Sequence, residues 1–295
     1  MSVPTPSAVL GRRPLRKRVI DRVFQAFLIV SLGIGIAALV TLLGYVFSKG
    51  AGSFGPRLWN NYPSINPELS GARSALFGTL WVISLTAMFA LPVGIGAAIY
   101  LEEFAKKDRW YNRAVELNIQ NLAAVPSIIY GILGLAFIAR GPIDLGSVVL
   151  TGGLILGLLV LPIVIIASRE AIRAVPPSIR QGSLALGATQ WQTVRRQVLP
   201  AAIPGMATGA ILALSRAIGE AAPLIMIGAF TIVRFNPTGL DSRFTALPIQ
   251  IFNWIEQPQA AFAKLAAAAS ILLLLVLLGM NSIAIWLRNR YSRTW

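Results

Sequence analysis

Leu214-Ser-Arg-Ala-Ile-Gly-Glu-Ala-Ala-Pro223 is set inside a run that is otherwise apolar from Ala201 to Val233. A helix needs about 20 apolar residues to cross a hydrocarbon core. This run has more, so it tilts, breaks or does both. Arg216 and Glu220 are four positions apart and share one helix face. A charge at mid-bilayer depth costs about 2.5–3.5 kcal/mol on insertion scales, so such residues face a pathway or a partner.

Outward from this stretch, apolar runs recur at Val23–Phe47, Ser74–Leu101, Ala114–Ala139, near 146–168 and at Ala261–Leu287. Together they predict an all-α polytopic membrane protein with six transmembrane helices. The domain reading is a basic tail over 1–22, a first span over 23–47, an extracytoplasmic loop over 48–73, a core over 74–287 and a basic tail over 288–295. The first span is longer than a signal-peptide core and lacks a small-x-small cleavage site, so it reads as retained. Arg12-Arg13 is a weak twin-arginine look-alike. No internal repeat stands out.

Of the 295 residues 56% are hydrophobic and 13% charged, and there is no Cys and no His. That excludes disulfides, thiolate metal sites, histidine relays and Ser-His-Asp catalysis. The net charge of +15 does not point to nucleic acid, because the basic residues sit between spans. Eighteen Lys and Arg fall on the N-tail, the 102–113 loop, the 169–200 loop and the C-tail, against seven on the alternate loops. Excess Lys and Arg marks the cytoplasmic side. Both termini and the 169–200 loop are therefore expected inside, in agreement with six spans.

The 169–200 loop carries its own pattern. Pro176-Pro177-Ser178 punctuates and starts a helix. Ser178–Leu186 is expected to form one short helix, Gly187 a sharp turn, and Thr189 the N-cap of a second helix over Gln190–Val198. Pro200 then re-enters the membrane. Leu184, Leu186, Trp191, Val194 and Val198 are too many apolar residues for a freely solvated loop. Either the loop docks into a cytoplasmic partner or it lies on anionic lipid.

The spacing Gln181-Gly182-Ser183, then Gly187, then Leu199-Pro200 resembles the cytoplasmic "EAA" loop of ABC importer permeases: Glu-Ala-Ala, three residues, Gly, nine residues, Ile-x-Leu-Pro. The first three positions depart from that pattern, as does Gln197 at the isoleucine position. Three further strings sharpen the match: Pro92-Val-Gly-Ile-Gly-Ala-Ala-Ile-Tyr-Leu-Glu-Glu103, Val125-Pro-Ser-Ile-Ile-Tyr-Gly131 and Ser215-Arg-Ala-Ile-Gly-Glu-Ala-Ala-Pro223. Over roughly 70–287 the chain resembles the PstA-type permeases of phosphate-specific ABC importers.

The resemblance implies a type I ABC importer permease-like fold in a prokaryotic cytoplasmic membrane. It also implies a homologous second permease subunit, two ATPase subunits and an extracytoplasmic phosphate-binding protein. In that family the EAA-type loop contacts the ATPase. No Gly-x-x-x-x-Gly-Lys-Ser/Thr occurs in the sequence, so no phosphate-cradling P-loop is present. ATP and Mg are implied on the partner ATPase, and no cofactor is expected in this chain.

Arg216 offers fixed donors to a tetrahedral oxyanion. Glu220 suits an anion that carries a proton: hydrogen phosphate donates O–H to a carboxylate, and sulfate at neutral pH does not. The alternative is that the two residues neutralise each other and hold the bundle together. Pro223 leaves the Gly219 carbonyl without its helical donor, which gives a broken helix lining a cavity or an ordinary kink. Ser127 and Tyr130 supply neutral donors to the same pathway or act as interhelical glue. Gly153/Gly157 and Gly205/Gly209 read as close helix contacts, and Trp59, Tyr62 and Trp254 as interface anchors. Two other functions stay open: a permease of this fold for another oxyanion, and a stand-alone ion-coupled carrier. The missing repeat weakens the carrier.

Overall fold

The computed structural model describes residues 15–106, 108–229 and 232–291. The remaining parts of the two basic tails lie outside the described residues. The chain divides into 1–48 and 49–295. The first unit is helical: α1 runs over Leu15–Gly50, and its side chains from Val23 to Phe47 are mostly apolar and exposed nearly all round. That pattern fits a span surrounded by lipid.

The second unit holds α2 (Pro56–Asn60), α3 (Arg73–Ile99), α4 (Trp110–Ala123), α5 (Ser127–Gly134) and α6 (Val149–Arg173). They are followed by α7 (Pro177–Ala185), α8 (Gln190–Thr193), α9 (Leu199–Gly219), α10 (Ala222–Met226), α11 (Leu247–Ile255) and α12 (Ala260–Tyr291). Wider π turns extend three of these helices: α3 through Tyr100–Phe104, α5 through Leu135–Ala139 and α8 through Val194–Val198.

Small residues set the packing register. Gly153 and Gly157 of α6 lie against Leu85 and Phe89 of α3, so the two helices run parallel. Gly205 and Gly209 of α9 meet Ala171 and Ala167, so α9 is antiparallel to α6. Ser215 donates to Asn281 at 2.9 Å and Arg288 to Thr208 at 3.0 Å, so α12 is antiparallel to α9. The C-terminal ends of α3, α6 and α12 and the start of α9 therefore share one side.

The structure corrects two spans. The expected third span, Ala114–Ala139, is α4 and α5, bent by 103° at the break before Ser127. Arg113, Glu116, Asn118, Gln120 and Asn121 make α4 too polar to enter hydrocarbon in line with α5, and Pro126 supplies the stop. Among the described residues five helices are long and apolar enough to cross alone, and the bent pair makes six if it crosses. Because α3 and α6 are parallel, the segment between them must cross, so the bent pair is a broken span.

The fifth span, 201–233, expected to tilt or break, does break, and what changes is where it starts and where it stops. Its helix begins earlier, continues from α8 through Gln190–Gly219 and stops at Gly219. Pro200 lacks an N–H, and the π turn just before it, closed by Leu199 N donating to Val194 O, accommodates the missing bond without ending the helix. The second short loop helix is thus the root of α9. Span four likewise extends to Arg173.

The 234–260 segment is not simply a polar loop. Phe244, Leu247, Ile249 and Trp254 are fully buried, and α11 packs on α12 and α3. Trp254 is a core residue rather than an interface anchor. The Phe244 ring lies over Gly152 and the Thr245 backbone over Gly78.

Candidate functional site

Glu220 does not lie on the α9 helix, as the sequence alone suggested. Its backbone is extended (φ −79°, ψ 113°) and its N–H bonds to Ala217 O. Pro223 sits in the first turn of α10. The proline ring would collide with the carbonyl four residues back, that of Gly219. Turning the chain at Glu220 relieves the collision, so the break precedes the proline by three residues.

The pair survives the break: Arg216 Nε donates to Glu220 Oε1 at 3.2 Å. Neither group is sealed inside the chain. The Arg216 side chain is 46% exposed and that of Glu220 18%. Among the described residues only Nε donates within the chain, leaving Nη1 and Nη2 able to bond an external acceptor. A paired but accessible guanidinium keeps its charge compensated and still offers two parallel donors to an oxyanion.

The second broken helix meets the first. α10 packs on α5, and Gly131 is the contact point. A Cβ there would stand 2.6 Å from Pro223 Cα and 2.8 Å from Pro223 O, so only glycine allows this approach. Tyr130 packs against the buried cluster that includes Ala213 and Ala217, on either side of Arg216. Its hydroxyl donates to Leu122 O at 2.9 Å, which ties α5 back to α4 across the bend. Ser127 opens α5 directly after the bend.

Pro223 and Tyr130 are thus brought beside the charged pair, with Ser127 at the start of the same helix. Tyr130 uses its proton on its own segment. Gly131 is the residue sequence reasoning missed. It was visible only as a small residue in an apolar helix, and its importance depends on what lies opposite.

At the other end of α9, α7 begins at Pro177 and ends before Gly187, whose φ of +82° suits glycine. Thr189 forms a capping box: its Oγ1 accepts from Gln192 N, and Gln192 Oε1 accepts from Thr189 N at 2.9 Å. Ser183 and Thr193 hydroxyls, 2.9 Å apart, join α7 to α8. Gln181, Gly182 and Gly187 are exposed. Leu184, Leu186 (90% exposed) and Trp191 stand out as an apolar ridge, next to a groove of about 470 Å³ that includes Ile179, Gly182, Gln192 and Arg196. Val194 and Val198 instead turn into the core. Leu199 and Pro200 are half-buried at the root of α9 and do not join the exposed face.

Residues 90–293 match the family described as binding-protein-dependent transport system inner membrane component. The chain is 29% identical over 239 residues to the probable ABC transporter permease protein YqgI of Bacillus subtilis, covering 81% of each. It is 30% identical over 279 residues to the phosphate transport system permease protein PstA 1 of Mycobacterium tuberculosis, covering 92% of this chain and 89% of the relative. Among solved structures, a chain of a bacterial alginate ABC transporter in complex with its pentasaccharide-bound periplasmic protein superposes with a TM-score of 0.67 at 18% identity, over 96% of this chain and 99% of that one.

Proposed function

The chain belongs to the family of inner membrane components of binding-protein-dependent transport systems, a multi-pass fold of the type I ABC importer permeases, and from that premise we propose that it is the permease subunit of an ATP-driven importer of inorganic phosphate. The observation that carries the proposal is the accessible Arg216–Glu220 pair at a helix break, next to a second broken helix. Discontinuous helices deep in a membrane protein are tolerated where they line a cavity. The relative from Mycobacterium tuberculosis is named a phosphate permease.

In this reading hydrogen phosphate accepts from the free Nη donors of Arg216 and donates its O–H to the Glu220 carboxylate, while sulfate has no proton to donate and is repelled by that charge. The exposed face carrying Arg216 meets the homologous second permease subunit, which completes the pathway. The Leu184/Leu186/Trp191 ridge contacts the ATPase, where ATP and Mg are bound, and two ATPase subunits close in turn to move it. Gln181, Gly182, Ser183 and Gly187 shape that surface, while Leu199 and Pro200 transmit its movement into α9. An extracytoplasmic phosphate-binding protein delivers substrate to the side that carries α2 and α11. The positive-inside bias puts α7 and both termini in the cytoplasm of a prokaryotic cell.

The test is uptake of radioactive phosphate in a strain deleted for this chain and complemented with it, with sulfate and molybdate as competitors. Phosphate uptake should return with the wild-type chain and resist both competitors. Glu220→Gln should make it sulfate-sensitive. Restored uptake of a different oxyanion, with phosphate uptake unchanged, sinks the substrate assignment.

A further inference from the structure

On the α7 side of the molecule, two neighbouring carboxylates in the π turn that ends α3 form the hub of a polar network. The side chains of Glu102 and Glu103 are 6% and 9% exposed. Arg180 of α7 gives Nε and Nη2 to Glu103 Oε1 at 3.1 and 2.8 Å. The same guanidinium gives Nη1 to Val175 O at 2.6 Å and Nη2 to Ile172 O at 2.8 Å. Gln190, the first residue of α8, donates its side-chain amide to the Glu103 carbonyl. Glu102 binds Arg173 through Nε and Nη2 at 3.2 and 3.1 Å and pairs with Arg169 at 3.5 Å. Arg169 reaches on to Glu116 of α4 at 2.9 Å, and Glu170 pairs with Arg173 at 3.1 Å.

This arrangement is more than a solvated charge cluster. An exposed ion pair contributes little, but a nine-tenths-buried carboxylate held by a fork of donors is geometrically specific. The fork fixes α7 to α3 at one carboxylate and to the end of α6 at two carbonyls, and Gln190 separately ties the root of α9 to the main-chain carbonyl of Glu103. We propose that Glu103 and Arg180 are positioning residues for transport: their pair makes α7, the end of α3 and the root of α9 move as one block. A displacement of α7 then reaches the helices that carry the Arg216–Glu220 site. The inference rests on the reading of α7 as the ATPase contact.

The experiment uses the assembled complex in proteoliposomes, measuring ATP hydrolysis and phosphate uptake side by side. Glu103→Gln keeps the shape of the side chain and removes its charge. The expected result is a complex of normal subunit composition, ATP hydrolysis within about twofold of wild type and uptake lower by about tenfold, in the range that coupling residues reach. Unchanged uptake overturns the proposal. So does a parallel fall of both activities, which would mean that the network only shapes the docking surface.

If Glu103→Gln fails to assemble because Arg180 is left without its partner, the neutral pair Glu103→Gln/Arg180→Gln replaces it. Assembly with hydrolysis but without uptake supports the proposal. Assembly with normal uptake, or no assembly, overturns it. Wild-type phosphate uptake in the same vesicles bears on the substrate reading alone. If the wild type moves another oxyanion, the variant-to-wild-type ratio is read with that ion.

Discussion

Arg216 and Glu220 have two distinguishable roles, and a single substitution does not separate them. Arg216→Ala leaves Glu220 without its 3.2 Å partner, so lower abundance would follow from either role. The double variant Arg216→Ala/Glu220→Ala removes both charges. If the pair serves the substrate, abundance in the membrane returns to near wild type while uptake stays lost. Recovery of uptake along with abundance makes the pair a structural tie. Gly131 is argued the same way, from what stands opposite. Gly131→Ala drives a methyl into the Pro223 backbone, and overpacking of this kind costs about 1–3 kcal/mol. A lower apparent melting temperature of the purified chain is expected, with uptake reduced because α10 and the break at Glu220 shift together. An unchanged melting temperature would show that α5 and α10 are not in contact. The charged pair was legible in the sequence because charges in an apolar run stand out by type alone. Gly131 was not, because a glycine's role depends on its opposite neighbour and sequence order does not supply that neighbour.

Among the elements, the prolines decide most of what was legible. Pro92, Pro162 and Pro204 lie inside continuous helices, whereas Pro126 and Pro223 stand at breaks. The difference lies in the flanking residues. Polar α4 precedes Pro126, and Gly219-Glu220 precedes Pro223, so breaking moves polar groups out of apolar packing. The turns before the three tolerated prolines are apolar, and Pro200, which follows Arg195-Arg196-Gln197, is accommodated by the π turn instead. The sequence therefore signalled a break near Pro223 but misplaced it, because the proline acts on a carbonyl four residues away. It read α4–α5 as straight because an average over the whole run hides its polar first half. In the α7 region two glycines of opposite character give a paired prediction. Gly182 is helical with open space around it and Gly187 has positive φ. Gly182→Ala should stabilise the isolated chain by about 0.5–1 kcal/mol, and Gly187→Ala should destabilise it by about 1–2 kcal/mol. Apparent melting temperatures moving in opposite directions are the expected outcome. A shift of the same sign at both positions would contradict the turn geometry at Gly187.

For the molecule as a whole, the decisive constraint is sidedness. The parallel register of α3 and α6 requires the chain between them to change sides, although α5 with its π turn is too short for a full straight crossing. The bend resolves this: polar α4 covers part of the distance along the boundary and apolar α5 the remainder. A side-specific thiol reagent tests the arrangement cleanly, because the sequence contains no Cys and each introduced one reports alone. Gly182→Cys on α7 should react only with a reagent applied from the cytoplasm, as the Lys and Arg bias requires. Ser64→Cys, before α3, should react only from outside. Ile143→Cys, in the exposed turn after α5, separates the two topologies. If the bent pair crosses, it reacts from the same side as Ser64→Cys. If the pair returns to the side it left, it reacts with Gly182→Cys. The parallel packing of α3 and α6 would then be wrong, and the juxtaposition of the two helix breaks around Arg216 would lose its basis.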